Sequence, residues 1–300
     1  MALQDTIAVR PAAEALQRAR AGKSYWARVR ERLLADPITV AVIALFIVIV
    51  AMTIAAPLIA TYDPTTGSVF ARLKSPGYPG HWLGTDEVGR DLWSRMLYGG
   101  RLTLLCGVAP VACALLVGGS LGLVAGYRGG LTDSFIMRSM DVLYAFPSIL
   151  LAIAICGMLG SGLGNTILAL TVTFIPPIVR ISETITTQVR SFEFVEAARA
   201  SGAKSASIIR FHILNNVLGP ILVYATSLIS ISIILAAGLS FLGLGVTPPD
   251  AEWGLMLNNL RQAIWVNPLV AALPGVMIFM TSMCFNLMSD GLRTAMDVRL

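Results

Sequence analysis

The chain has 300 residues, of which 56% are hydrophobic and 13% charged, with a net charge of +5 and a mean hydropathy of +0.75. A soluble domain carries roughly 45–50% apolar and about 25% charged residues, so a water-soluble core is excluded and no nucleic-acid partner is expected. The charges are bunched, leaving uncharged windows of about 18 or more residues, the signature of an all-α, polytopic membrane protein.

Residues 1–37 form a basic amino-terminal tail with Arg10, Arg18, Arg20, Lys23, Arg28, Arg30 and Arg32, a composition drawn to anionic lipid. Gly22, Lys23 and Ser24 match the end of a phosphate-binding loop, but Gln17 stands where its first glycine belongs and no strand precedes it, so the match is accidental. The window Ile38–Ala60 holds 23 residues without a charge. At about 1.5 Å per residue this reaches roughly 34 Å, enough for a core of about 30 Å. Its length and the long polar segment before it fit an uncleaved first span better than a signal peptide.

A charged segment, 61–101, precedes further apolar windows at about 103–126, 142–160, 166–182, 217–240 and 268–289, giving about six transmembrane helices in all. With an inside amino terminus, sixteen of the 22 Lys and Arg residues fall in inner segments and six in outer ones. The bias predicts cytoplasmic termini and an extracytoplasmic segment 61–101. Residues 102–290 then form a five-helix core with a cytoplasmic loop at 187–215, followed by a short tail, 291–300. Trp26, Trp82, Trp93, Trp253 and Trp265 all lie outside the apolar windows, as interfacial anchors do.

Gly118, Gly122 and Gly126 share one face of the second span, a pattern that favours close helix packing over a hinge. Pro176 and Pro177 should bend the fourth span, either as a structural kink or beside a pathway. The four cysteines sit in apolar windows, Cys106 and Cys113 too far apart to bridge, and the two histidines lack partners for a metal site. Ionisable residues are few near the spans: Arg180, Glu183, Asp141 and Asp290 flank them. No catalytic constellation is visible, and a proton-coupled carrier would place such groups deeper.

The polar interruption Arg190–Asn216 reads as two short helices. Ser191 is placed to cap the first, Glu193 and Glu196 lie near its positive end, and Gly202 can take the positive φ that stops it. Ser205 is placed to cap the second. Ala197, Ala198 and Ala200 keep the first helix slim enough for a partner's groove, and Phe192 and Val195 should share a face.

The run Glu196-Ala197-Ala198 followed at four residues by Gly202 resembles the EAA loop, the cytoplasmic coupling segment of permease subunits in bacterial ABC importers. Leu83–Arg101, with Gly84, Thr85, Asp86, Gly89, Arg90 and Asp91, resembles a signature of the C-type subunits of the dipeptide, oligopeptide and nickel branch. Leu239–Gly254 and Asn286–Leu300 resemble that branch's later segments, so the similarity runs from about residue 36 to the end. Asn215 replaces the usual proline and should cap the following helix instead; Ser289, Thr294 and Val298 stand where glycine, aspartate and proline are common.

The resemblance implies a subunit of a bacterial inner membrane importer with no cofactor of its own. Its partners would be a second permease chain, two ATPases that bind ATP and magnesium, an extracytoplasmic solute-binding protein, and the lipid bilayer. The cargo would be di- or oligopeptides or similar small solutes. The segment 83–101 would either brace the second span and meet the binding protein or act as a lid for stability alone. A stand-alone secondary transporter or channel is the alternative, but internal repeats and buried charge are missing.

Overall fold

A computed structural model describes residues 25–296. Arg10 to Lys23, the Gly22-Lys23-Ser24 triplet, Val298 and Arg299 lie outside the described residues. Helix α1 (Tyr25–Ala35) leads into α2 (Pro37–Ile54), whose start is set by the Asp36 carboxylate accepting from the Ile38 and Thr39 N–H groups. Pro37 adds a preset φ at the first helical position. The first span was expected to run to Ala60, but it breaks at Ala55, and a single turn, α3 (Ala56–Ile59), follows. Pro57 has no N–H for the Thr53 carbonyl, and the Arg101 guanidinium takes the Thr53 and Ile54 oxygens at 2.7 Å each.

Helix α4 (Leu92–Arg128) has 37 residues, about 55 Å, so it projects well past a hydrocarbon core of about 30 Å. Then come α5 (Gly130–Tyr144) and α6 (Ser148–Leu159), inclined at 82° to one another. The window 142–160 therefore holds no straight span. Phe146 precedes a proline and is pushed out of the helical region, so the helix stops there. The restarted α6 has 12 residues, about 18 Å, too few to cross alone.

Helix α7 (Leu163–Arg190) runs on through Pro176 and Pro177 without interruption. Within 187–215 the first of the two expected short helices is α8 (Glu193–Ala200), while the second is continuous with the following span as α9 (Ser205–Phe241, with a π-helical stretch at Ile208–Ile213). Helix α10 (Trp253–Asn259) continues as a 3-10 turn, and α11 (Pro268–Met296) extends well into the segment read as a tail. Among the described residues α2, α4, α7, α9 and α11 are each long and apolar enough to cross a membrane, which makes five, or six when the bent pair α5–α6 is counted as one broken span.

The closest packing joins α4 to α7. A Cβ built on Gly118, Gly122 or Gly126 would come within 3.0, 2.4 or 2.6 Å of the carbonyl oxygens of Ile175, Val179 and Glu183 respectively. Both helices step by four residues, so backbone lies on backbone along two full turns. Around this seam Phe174, Ile178, Leu228 and Leu239 form a buried core.

The end of the amino-terminal tail is also packed: Val29 of α1 is buried with Val223, Ala295 and Met296, and Arg32 donates to the Ala295 carbonyl at 3.4 Å. Trp265 is 90% exposed and the Trp82 ring lies tilted 5.6 Å from that of Trp93, but Trp253 is fully buried and donates to the Met96 carbonyl at 2.9 Å. The anchor expectation fails for Trp253 because α10 folds back against α4.

Replacing Gly122 with leucine should force α4 away from α7 and cost on the order of 1–3 kcal/mol or more, read as a lower thermal midpoint of the detergent-purified chain. Gly119, three residues earlier and facing open space apart from Leu115 at 3.7 Å, should accept alanine with an unchanged or raised midpoint.

Candidate functional site

The segment joining α7 to α9 hangs α8 on a narrow base. Val195 is fully buried among Ile185 and Val189 of α7 and Ile208, Ile213 and Val217 of α9, with Ala198 beside it. The five-residue step from Ile208 to Ile213 crosses the π-helical stretch, and the four-residue step to Val217 resumes the α-helix, so all three share the buried face. Glu193, Glu196, Ala197 and Arg199 are exposed, as are Phe192 at 44% and Phe194 at 41%.

Phe192 and Val195 do not share a face. Phe192 is the N-cap residue with extended backbone (φ −77, ψ 144), which takes its side chain out of the helical register. Its ring lies 5.8 Å from that of Phe194, which in turn lies 6.3 Å from the His212 ring. Ser191 does not cap α8 either; its hydroxyl donates back to the Gln188 carbonyl at 2.8 Å. The Glu193 and Glu196 carboxylates supply negative charge at that end instead. Ser205 is the first residue of its helix, with Lys204 in the cap position.

Gly202 has φ +78 and ends α8: its N–H bonds the Arg199 carbonyl at 3.0 Å, while the Ala203 N–H reaches the Ala198 carbonyl at 3.1 Å. This is a Schellman stop, which favours glycine. Asn215 caps nothing, because the helix is continuous through it. Its side-chain amide donates to the Phe211 carbonyl at 3.3 Å, and Asn216 does the same for His212 at 2.6 Å, where the π turn gives way to α.

At the far end of α4, residues 61–91 are tied down by a second constellation. Asp86 accepts from the Val88 and Arg90 N–H groups (3.0 and 2.9 Å) and from Arg90 Nε at 2.6 Å, with Arg95 Nε 3.3 Å away. Asp91 caps α4 through the Ser94 N–H and hydroxyl and also meets His81 Nδ1 at 2.9 Å and the Thr61 hydroxyl at 3.2 Å. The Thr85 hydroxyl donates to the Ala71 carbonyl and accepts from the Lys74 N–H at 3.0 Å. Gly84 and Gly89 adopt φ +81 and +80, and a Cβ on Gly89 would sit 1.8 Å from the Ser68 oxygen. The six signature residues are thus brought together to hold this segment onto the start of α4.

Sequence reasoning missed Glu252. It is fully buried, caps α10 through the Gly254 and Leu255 N–H groups at 2.9 Å each, and accepts from the Thr103 hydroxyl of α4 at 3.0 Å. The available signal was a carboxylate directly before a helical run, where an acceptor for free N–H groups is needed. Ser289, where glycine was expected, is buried and donates to the Val223 carbonyl at 2.9 Å.

Residues 118–300 match the family model described as the binding-protein-dependent transport system inner membrane component, and residues 24–76 match the N-terminal TM domain of oligopeptide transport permease C. The second match begins ahead of residue 36, where the sequence resemblance was placed to start. The glutathione transport system permease protein GsiD of Pectobacterium atrosepticum is 40% identical over 93% of this chain and 92% of its own length. The probable D,D-dipeptide transport system permease protein DdpC of Escherichia coli is 39% identical over 99% and 97%. The dipeptide transport system permease protein DppC of Alkalihalophilus pseudofirmus is 39% identical over 92% and 91%. In fold, the chain is similar to a solved inward-facing MetNI methionine ABC transporter chain, with TM-score 0.56 and 19% identity over 68% of this chain and 97% of that one.

Replacing Asp86 with alanine leaves the buried Arg95 guanidinium without a carboxylate and Arg90 with Glu87 alone, a change of about 3–5 kcal/mol for a buried pair. Faster protease cleavage within residues 61–91 and a lower thermal midpoint are expected. Burial, and then the Asp86 carboxylate, push the Glu87 carboxyl above its ordinary value of 4.5. The folded chain therefore holds that proton to higher pH than the unfolded chain does, and this contribution to stability falls as pH rises above 4.5. Thermal midpoints measured across a pH series should lose that downward slope in Glu87→Gln.

Proposed function

We propose a function from one premise: the chain belongs to the family of binding-protein-dependent transport system inner membrane components. It is a multi-pass permease subunit of an ABC importer and a transport component rather than an enzyme. Its cargo, on this proposal, is a di- or oligopeptide or a peptide-like solute such as glutathione, the cargo named for its relatives.

The chain works with a second permease, two ATPase subunits that bind ATP and magnesium, and an extracytoplasmic solute-binding protein. It sits in the bacterial inner membrane with both termini in the cytoplasm, which puts α8 on the ATPase side and residues 61–91 outside. The second region exposes Val69 and Phe70, at 75% and 94%, as the surface that meets the binding protein.

One observation carries the coupling role. Helix α8 buries a single side chain, Val195, while Phe192, Phe194, Glu196 and Ala197 face outward. A short helix so presented fits a groove on a partner. Because α7 ends where α8 begins and α9 follows it directly, a pull on α8 acts on two spans at once. The glycine seam makes α4 follow α7. Closure of the ATPase pair would move this unit between two states, exchanging access between the membrane's sides.

Replacing Gly202 with valine puts an L-residue in the left-handed region, at a cost of roughly 1–2 kcal/mol. A Cβ there meets nothing within 4 Å, so the damage is confined to the stop of α8. ATP-driven uptake by the purified, reconstituted complex should fall by about tenfold, with normal amounts of chain in the membrane, and Gly202→Asn should retain most activity. Unchanged uptake in the valine variant, or recovery of the tagged chain without a second permease and ATPases, would overturn this assignment.

A further inference from the structure

A cavity of about 120 Å³ lies at the end of α2, walled by Ile49 and Thr53 of α2, Trp93 and Leu97 of α4, Trp253 of α10 and Val276 of α11. The side-chain nitrogen and oxygen atoms on its wall are all in use. The Thr53 hydroxyl donates to the Val50 carbonyl at 2.8 Å, the Trp93 indole N–H to Ile59 at 3.3 Å, and the Trp253 indole N–H to Met96 at 2.9 Å. A trapped water needs about two to four polar partners, whereas an apolar cavity of about 150 Å³ stays dry and takes up a small hydrocarbon. Whatever fills this one is apolar.

The cavity is not sealed. Val276 on its wall is 47% exposed, and the surface beside it is apolar too, with Ile54 next to Thr53 at 69% and Phe279 one turn from Val276 at 63%. Arg101 stands at the same end of α2, where its guanidinium donates to the Thr53 and Ile54 carbonyls at 2.7 Å each. A guanidinium offers five N–H groups, so donors remain. The side chain is exposed, and among the described residues no carboxylate pairs with it. Arg101 also marks a boundary: α2 ends at Ile54, and the apolar window of α4 begins at about residue 103. In a bilayer that boundary is where hydrocarbon gives way to headgroups, and Trp93 is the kind of residue that settles there.

We infer that this cavity and Arg101 together form a phospholipid site, in which a stretch of one acyl chain fills the cavity and the phosphate takes the remaining guanidinium donors. The two halves of the ligand match the two halves of the site. Filling the space restores the van der Waals contacts that an empty wall lacks. It also braces α2, the least buried of the five long helices, against α4 and α11.

The test uses the full chain, with the subunits that copurify, in vesicles of phosphatidylethanolamine and phosphatidylglycerol. A phosphatidylglycerol carrying a photoreactive diazirine in one acyl chain is added and irradiated, and the labelled residues are mapped by mass spectrometry. Ile49 and Leu97, at 4% and 3% exposure, are out of reach of lipid on the surface, so label on them reports an occupant of the cavity. Label on Ile47, 59% exposed on α2, serves to normalise.

Ile49 and Leu97 should be labelled. Arg101→Gln should lower that labelling by about tenfold or more, the loss of a charged hydrogen bond, while Arg101→Lys, which keeps the charge, should retain most of it. Val276→Trp, which narrows the open side, should abolish it. A diacylglycerol with the same photoreactive chain and no phosphate should label about tenfold less than the phospholipid in the parent chain. Absence of label on Ile49 and Leu97, the result expected if a partner subunit's side chain fills the cavity instead, would overturn the inference. Equal labelling by the two lipids, unchanged in Arg101→Gln, would overturn it as well.

Discussion

Everything in this molecule depends on how near α4 comes to α7. Three glycines on one helix lie against three carbonyl oxygens on the other, at a separation that is tight at Gly118 and at Gly122 and Gly126 would exclude even a methyl group. In a membrane there is no hydrophobic force to press helices together, because lipid is as apolar as leucine, so association rests on close van der Waals fit. The seam supplies that fit. It also makes a rigid pair out of the longest helix and the helix that leads directly into α8.

The polar groups are distributed as that geometry demands. At one end of α4 the Asp86, Arg90 and Arg95 side chains and the Asp91 cap fold an otherwise irregular segment onto the helix, with most of their charge internally matched. On the next turns Glu252 and Trp253 bind α10 to the same helix. Helix α4 is thus a spine: one end anchors two flanking segments, and the middle and other end are fused to α7. Movement of one part without the others would strand buried carboxylates or carbonyls without partners, which is costly.

Helix α8 is built differently. It has one buried side chain, a glycine stop and two carboxylates at its amino end in place of a hydroxyl cap. Such an element is held in place but not locked, and most of its surface is left for something else to cover. The π-helical stretch that follows shifts the helix register so that Ile208, Ile213 and Val217 all reach the base under Val195. Rigid spine and lightly seated helix together have the mechanics of a lever.

Much of this was legible in the sequence. The number of crossings follows from window length and charge, the glycine stripe from its spacing, and the stop at Gly202 from its chemistry, since each depends only on residues close together along the chain. The break at Pro147, the end of α2 at Ala55, the burial of Trp253 and the seating of α1 were not readable from the windows. A hydropathy window averages over a proline that ends a helix, and an aromatic between spans reads as an anchor whether it faces lipid or folds back. The same limit explains Phe192 and Asn215, whose roles depend on where the helix starts and on a π turn that no local pattern announced. The sequence by itself determined which segments must leave water and which residues can end a helix, because transfer cost and backbone freedom are properties of single residues. Only the tertiary structure decided which charges meet, which side chain seats α8 and which carboxylate ties α10 to α4, because those depend on groups distant in the chain being brought within hydrogen-bond reach.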